Sequence, residues 1–352
     1  MKKLFTIALF FFCKIVVGQK FGLGPDAQFS QFFANPLYHN PAFTGEAGAT
    51  RLMATFRSQW AGLGDGGYKS YIAGIDGYAS RGLGLGFLAF RDEQFKNFST
   101  TSLSGLASYN IVINDNNVVV FGLQGSWVFN QINDLSNLKF VDRFSTTSNS
   151  VVINPSIDPL ANKGGLSWNY LNFSGGFLWK NSPYMDNDRL VWAGGTWHNL
   201  KFSEKDFQPK GRIGLQAGFK IPHHLDFIGH GRVKDMERER NIAFTTYFRK
   251  QGRFSQLDMG VNFQYSPINL GVWYRNMPFK RADFPGQDAI TFITGVKFGK
   301  FMFEYSYDLT VSSLNRTTAG ANEITLWYGL DFDLDLSLNG LDRRRKLKCT
   351  NF

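Results

Sequence analysis

The chain has 352 residues, 37 of them glycine and 36 phenylalanine, with 16% aromatic and only 19% charged residues. A long-helix protein would be richer in Ala, Leu, Glu and Lys, so this balance points to strands and their turns, in one large all-β unit or two average domains. The formal net charge is +10 at pH 7.

Lys2 and Lys3 form a short basic region, Leu4 to Cys13 an apolar stretch, and Val16-Val17-Gly18 places small or modest residues before Gln19. This is the pattern of a secretory signal peptide over residues 1–18, too short and wrongly flanked for a membrane helix. Phe10-Phe11-Phe12 before Cys13 is unlike a lipoprotein cleavage box, so no lipid anchor is expected. Cleavage would remove Lys2, Lys3 and Lys14 and no acid, which lowers the charge from +10 to +7 and leaves Cys349 with no disulfide partner. No later stretch approaches the ~18 apolar residues of a spanning helix.

Residues 19–49 form an N-terminal segment expected to be periplasmic or lumenal. Within it, Gln31 to Gly45 reads QFFANPLYHNPAFTG, with Asn35-Pro36 and Asn40-Pro41 among aromatics. Neither a helix nor a strand period runs through it, and each proline restricts the residue before it. With Phe32, Phe33, Leu37, Tyr38 and Phe43 it is too apolar to hang loose in water. It is expected to fold into or under a barrel mouth, or else merely to lead into the first strand.

From residue 50 onward the chain alternates with period two. Leu257, Met259, Val261, Phe263 and Tyr265 oppose Asp258, Gly260, Asn262 and Gln264. Phe301, Phe303, Tyr305 and Tyr307 oppose Met302, Glu304, Ser306 and Asp308, and the same split recurs at 212–220 and 323–332. The segments run about nine to thirteen residues, enough for a tilted strand to cross a bilayer, and their apolar faces end in aromatics. A soluble sandwich would use strands of about five or six residues. The expected fold is all-β: a transmembrane antiparallel β-barrel over residues 50–338. About fourteen strands begin near residues 50, 69, 82, 99, 117, 167, 188, 210, 240, 254, 267, 288, 300 and 321. An even count lets both termini lie in the periplasm. Ser80-Arg81 and Asp115-Asn116-Asn117 read as tight inner turns; 133–166, 276–287 and 312–320 read as long outer loops. The charged stretch 221–240 breaks this pattern, being long where a short inner turn is due. A basic tail covers residues 339–352.

Arg or Lys on the lipid face costs about 2–4 kcal/mol at the midplane. Arg51, Arg57, Lys180, Arg212, Lys220, Arg249, Arg275 and Lys297 should therefore point into the lumen, with Asp76, Asp258, Glu304, Asp308, Glu323 and Asp331 as partners. The plain reading is a solvated, salt-bridged interior; the sharper one is a lumen that grips a specific partner.

Motifs for other chemistry fail their context tests. The run GLGLG at 82–86 opens no helix and is better explained by small residues facing a crowded lumen. His223, His224 and His230 lack a recurring zinc-type spacing. KDMERER at 234–240 mixes charge signs, as a solvated loop does. No nucleophile elbow, Cys/His pair or close carboxylate pair stands out, so neither an enzyme nor a cofactor is expected.

Asn40, Pro41, Ala42, Phe43 and Gly45, followed by Arg57, Gln59 and Trp60, resemble the opening motifs of the PorP/SprF family of Bacteroidota outer-membrane proteins. GRFSQLDMGVNFQYSPINLGVWYR, DAITFITGVKFG, FMFEYSYDLTVSSL and AGANEITLWYGL resemble its far end. The resemblance implies a non-enzymatic barrel of the type IX secretion system. It would work with a secreted surface protein bearing a C-terminal sorting domain, including adhesins of gliding motility, or with the periplasmic ring of the apparatus. The lipid bilayer of the outer membrane would be its surroundings, and no nucleic acid is implied. Residues expected to face the lumen or a partner are Asn35, Pro36, Asn40, Pro41, Arg51, Arg57, Trp60, Arg212, Arg249 and Arg275. The rival is a porin or hydrophobic-solute channel, which requires an open lumen; an anchor would have a blocked one.

Overall fold

In the computed structural model the described residues are 26–47, 49–62, 67–80, 82–114, 116–133, 144–147, 150–153, 165–181, 189–200, 208–222, 240–276, 288–311 and 319–330. The expected signal peptide, His223, His224, His230, KDMERER before Arg240, Asp331 and the basic tail lie outside them.

Fourteen strands alternate apolar and polar residues, and their backbone groups pair around a closed ring. In chain order these are β1 (Thr50–Gln59), β2 (Tyr68–Ser80), β3 (Leu83–Gln94), β4 (Phe98–Asn114) and β5 (Asn117–Ile132), followed by β8 (Leu166–Asn181), β9 (Leu190–Leu200) and β10 (Arg212–Pro222). The remainder are β11 (Arg240–Gln251), β12 (Phe254–Tyr265), β13 (Ile268–Asn276), β14 (Ala289–Phe298), β15 (Phe301–Thr310) and β16 (Ala321–Leu330). Each pairs antiparallel with its sequence neighbour, except that β5 pairs β8 across a small separate hairpin of β6 (Phe144–Thr147) and β7 (Ser150–Ile153). Closure comes from β1 against β16, in register from Thr50↔Leu330 to Gln59↔Ala321. Closure removes the open edges that neither water nor lipid would satisfy in a bilayer.

Strand starts read from periodicity fall within two residues of those observed. The expected lengths hold less well: β4 has 17 residues and β5 and β8 have 16 each. Both faces of the β4–β5 hairpin are open at its tip, where Ile111, Val112 and Ile113 are all exposed, so it projects past the rim. There the bilayer no longer limits strand length.

The outward face is apolar. Leu123 is 70% and Leu171 68% exposed, and a soluble protein does not display so continuous an apolar wall. Aromatic pairs lie near both ends of the strands: Trp127 with Phe129 (4.8 Å) and Phe56 with Tyr71 (5.1 Å) at one, Phe219 with Phe244 (4.8 Å) and Phe301 with Tyr328 (4.4 Å) at the other. These are the interfacial girdles of a membrane barrel.

The two ends of the barrel differ. At one, two-residue links join β2 to β3, β4 to β5, β12 to β13 and β14 to β15, and β1 begins and β16 ends there. Asn114 Oδ1 accepts from the amides of Asn116 and Asn117 in one of these turns (3.1 and 2.9 Å). The other end carries the long β5–β8, β13–β14 and β15–β16 connections; two links run against this division, the long β10–β11 connection over 223–239 at the first end and the two-residue β11–β12 link at the second. In outer-membrane barrels the short-turn end is periplasmic and the long-loop end extracellular.

Candidate functional site: a lumen filled by the N-terminal segment

The inward face is polar and charged, as the lipid argument demands, but water does not fill it along most of its height. Residues 26–47 lie inside the barrel, and nearly every residue from Phe29 to Thr44 is buried. They contact strands on all sides: β15 and β16 through Ser30, β10 through Tyr38, β8 through Asn40 and β2 through Gly45. The reading of this segment as a mere lead into the first strand is corrected; the interior is salt-bridged, as expected, but the segment and not solvent occupies most of it.

The local fold of the segment follows from its two Asn-Pro pairs. The carbonyl of Gln31 accepts from the amides of Ala34 and Asn35 (3.0 and 3.1 Å), a turn that leads into α1 (Pro36–His39). Proline is pre-set for a first helical position and lacks the N–H that would be orphaned there. At the second pair, Asn40 caps a 3-10 turn over Pro41–Phe43: its Oδ1 accepts from the Ala42 amide at 2.9 Å. The first asparagine does not cap its helix. Asn35 Oδ1 instead accepts from Thr55 of β1 (2.6 Å), and its Nδ2 donates to Gln31 O (3.2 Å) and Glu323 of β16 (3.4 Å). One motif is thus used twice, once to bend the segment and once to bind it to the wall.

Toward the long-loop end the segment is held by ions. Ser30 Oγ donates to Asp308 Oδ2 (2.6 Å) and accepts from Arg57 Nη1 (2.7 Å) and Arg275 Nη2 (2.9 Å), which uses its full hydrogen-bonding capacity. Its amide donates to Glu323 Oε2 (2.8 Å). Arg57 in turn pairs with Asp308 (2.7 Å) and Glu323 (3.0 Å), and Arg275 with Asp308 (3.1 Å) and Asp258 (3.3 Å). Two guanidinium groups face two carboxylates around one hydroxyl, and the cluster ties β1, β13, β15 and β16 to the segment. Arg249 is buried nearby, 3.8 Å from Asp258. Arg212 reaches Asp26 (3.3 Å) and the Tyr38 hydroxyl (3.2 Å), and lies over the Tyr38 ring at 4.9 Å.

Toward the short-turn end the contacts more often involve backbone groups. Arg51 makes a two-pronged pair with Asp76 (2.9 and 3.0 Å), whose Oδ2 also accepts from the Gly45 amide at 2.8 Å. Glu46 pairs with Lys180, and Ser108 donates to the Thr44 carbonyl at 2.6 Å. Asn40 Nδ2 donates to the Phe177 carbonyl at 3.1 Å. Here the wall is glycine. A Cβ on Gly122 would overlap the backbone of Pro41 and Ala42, one on Gly84 the Thr44 carbonyl, and one on Gly176 the Asn40 side chain. Gly45 has φ +74°, a conformation other residues rarely adopt, and sits against Gly77 and Gly84. The second glycine of GLGLG is therefore a seat for the segment.

Apolar contacts fill the rest. Phe29, Leu37 and Tyr38 pack with Met53, Ile72, Leu88 and Leu106; Ala42 and Phe43 with Val118, Val120, Leu178 and Trp192; Phe32 and Phe33 with Tyr247, Trp273 and Ile293. Phe32 meets Trp273 edge-on at 4.8 Å, and Trp327 donates to the Ala34 carbonyl at 2.8 Å. Cavities lined by described residues include one of about 110 Å³ beside Asp26 and Tyr38 on the β3–β8 side and one of about 230 Å³ at the short-turn end between Arg51, Asn269 and Trp327.

Of the residues singled out from sequence, Asn35, Pro36, Asn40, Pro41, Arg51, Arg57, Arg212, Arg249 and Arg275 are all buried in the lumen. Lys220 and Lys297 are half-exposed near the short-turn rim. Trp60 is not lumenal: it ends β1 at the long-loop rim, with φ 58° and its ring against Tyr68 at 5.6 Å. Glu304 does not serve the arginine cluster; it accepts from Asn269 at 2.6 Å. Sequence reasoning missed Asp26, Ser30, Gln31 and Glu46, which are ordinary polar residues in an irregular stretch. It also missed the inward aromatics Trp192, Tyr247 and Trp273. A signal for two of these existed: Trp192 and Trp273 pair directly with Gly218 and Gly260, which leave room for their rings.

No curated protein matches the chain in sequence. Solved structures that resemble it include the CymD monoaromatic hydrocarbon channel, with 11% identity and a TM-score of 0.44 over 89% of this chain and 95% of that one. The Ralstonia pickettii toluene transporter TbuX has 9% identity and a TM-score of 0.44 over 83% and 92%. The Pseudomonas putida toluene transporter TodX has 8% identity and a TM-score of 0.44 over 84% and 93%. Residues 23–328 match the family model "Type IX secretion system membrane protein PorP/SprF". That span holds both the lumenal segment and the strands, so this outer-membrane barrel belongs to the PorP/SprF family of the type IX secretion system.

Proposed function

We propose that the barrel acts by binding, not conduction: it assists export or surface anchoring of a secreted protein bearing a C-terminal type IX sorting domain, an adhesin of gliding motility being one such substrate. The long-loop end presents the docking surface. One observation supports this most directly, the occupation of the lumen by residues 26–47, hydrogen-bonded to strands around the ring. A solute path needs a continuous wet lumen. Here the cross-section is crossed by buried side chains and by a cluster in which Arg57 and Arg275 pair with Asp308, Glu323 and Asp258.

The decisive measurement is purification of the tagged protein from outer membranes in mild detergent, with identification of what accompanies it. A large secreted protein retained by its C-terminal domain is the expected result. Periplasmic ring proteins in its place would make the barrel a core component of the apparatus. A bare barrel that conducts ions in a planar bilayer would overturn the proposal in favour of a channel.

A further inference from the structure

The segment fills the lumen unevenly. On the β9–β13 side, Trp192, Tyr247 and Trp273 pack against it. On the β3–β8 side the inward positions are short and polar instead: Thr100, Ser102 and Ser104 of β4, Ser126 and Asn130 of β5, and Ser174 of β8. Such short side chains leave space, and the cavity of about 110 Å³ lies between them and Asp26, Ala27 and Tyr38 of the segment. A single water needs only ~10–15 Å³ of such space. The cavity reaches the long-loop rim, where its wall includes Gln94 and Phe98, the last residue of β3 and the first of β4. In the other direction it ends blind. Past Gln124, the Pro41 and Ala42 backbone lies against Gly122, and Ser108 donates to the Thr44 carbonyl.

The wall of this pocket mixes donors and acceptors. Asp92, Thr100 and Asn130 stand side by side in one register row of β3, β4 and β5. Asp92 is only 5% exposed, and its carboxylate accepts from Ser70 (2.6 Å) and Gln94 (3.1 Å). Among the described residues no lysine or arginine pairs with it. Asn130 Oδ1 accepts from Thr100 at 2.7 Å, whereas its Nδ2 has no partner among the described residues, and neither has Gln124 Oε1. One of these lacks an acceptor and the other a donor. Arg212, on the opposite side, is committed to Asp26 and Tyr38. Phe90, Phe98 and Tyr170 add ring surface.

These groups select among ligand classes. A phosphate or sulfate would satisfy the donors but would lie against Asp92 and Asp26. An ammonium group would satisfy Asp92 but would face Arg212 and leave the Asn130 amide unmet. A hydroxyl both donates and accepts, so a molecule that carries several on a carbon ring meets a carboxylate, an amide donor and an amide acceptor together. Its C–H faces suit aromatic walls, as in pockets where a few polar groups fix orientation. We propose that this cavity binds a pyranose ring of a saccharide, entered from the long-loop end, with Asp92 accepting from ring hydroxyls and Asn130 donating to a ring substituent. The ring belongs either to a free sugar or to the end of a glycan chain, since the recognising chemistry is the same. The pocket is blind, so it opens no path through the closed lumen. It is a second binding site beyond the proposed docking of a secreted protein and does not depend on it.

The test is saturation-transfer NMR on the full chain, purified in a detergent without a sugar headgroup. The probes are the methyl pyranosides of glucose, galactose and mannose, and the polysaccharide released by mild acid from the lipopolysaccharide of the native host. Saturable transfer to ring protons is expected: from a methyl pyranoside if the ligand is a free sugar, from the polysaccharide alone if it is a glycan end. Two variants locate the binding. Asp92→Asn keeps the shape of the residue and removes its charge, and loss of hydrogen bonds to a charged group should weaken affinity about tenfold. Ser102→Phe fills the pocket and should abolish the signal, with heat-modifiable gel migration confirming that each variant is folded. Silence from every sugar probe overturns the proposal, as does binding left unchanged in both variants. Transfer to lysine methyl ester in place of the sugars, lost in Asp92→Asn, overturns it in favour of a cationic ligand. No partner protein is present in the assay, so failure here is distinct from failure to co-purify a secreted protein.

Discussion

The two halves of the lumen hold the same segment by different physics. Near the long loops, Ser30 and Gln31 are gripped by Arg57, Arg275, Asp308 and Glu323, charges that lie far apart in sequence and cancel only when assembled. Near the short turns, Pro41 to Gly45 lie on glycines, so that beside the Arg51–Asp76 and Lys180–Glu46 pairs the fit depends on what the wall lacks. Charge tolerates small displacements but penalises removal of one partner heavily, since an unpaired ion is then left out of water. Close backbone approach tolerates no added atom. A segment pinned in both ways has a defined depth as well as a defined position, which charges alone would not give it.

The largest expected effect comes from removing both grips at once. Deletion of residues 31–45 should convert a closed barrel into a conducting one in planar bilayers; a correctly inserted barrel with unchanged conductance would show that the segment does not close it. Next, Arg57→Ala leaves Asp308 and Glu323 facing each other with one cation fewer, both carboxylates being nearly inaccessible. Loss of one member of a buried pair costs about 3–5 kcal/mol. The midpoint of urea unfolding in detergent should fall accordingly, and a shift within error would mean the cluster is solvated. Gly122→Val tests the other grip. Its side chain would overlap the Pro41 and Ala42 backbone, and overpacking costs about 1–3 kcal/mol when the structure can adjust. Because the neighbour here is backbone, the segment should move: proteolysis within 31–45 should accelerate while the barrel core stays resistant. Asn40→Ala should be mildest. It removes a cap worth about 0.5–2 kcal/mol and the bond to the Phe177 carbonyl, so a small loss of stability is expected without conductance. An effect larger than that of Arg57→Ala would reverse the ranking of the two grips.

Much of the barrel was legible residue by residue. Met259 and Val261 face lipid while Asp258 and Asn262 face inward, because a bilayer enforces period two on every strand that crosses it. The inward turn of Arg51, Arg57, Arg212, Arg249 and Arg275 followed from the same argument. So did Asp76, Asp258, Asp308 and Glu323 as their acidic partners, but not which acid meets which arginine. Asp76 and Asp258 match arginines on neighbouring or nearby strands, whereas Glu304, equally inward, bonds to Asn269 instead. Choosing among acids on one face requires register and barrel curvature, which alternation does not encode. Trp60, grouped with the lumenal residues, lies one position past β1, where the alternation that would have aimed it inward has ended.

What the sequence by itself determined, then, is the number of strands, the face each presents and the family to which the chain belongs. These rest on short-range rules: a two-residue period, turn chemistry and contiguous motifs. Only the tertiary structure decided how the N-terminal segment is seated and which glycines receive it. Those depend on pairs such as Ser30 with Glu323, 293 residues apart, and on Pro41 against Gly122. An irregular segment carries no period from which to read its neighbours, so its place is set by the shape and charge of the wall that closes around it.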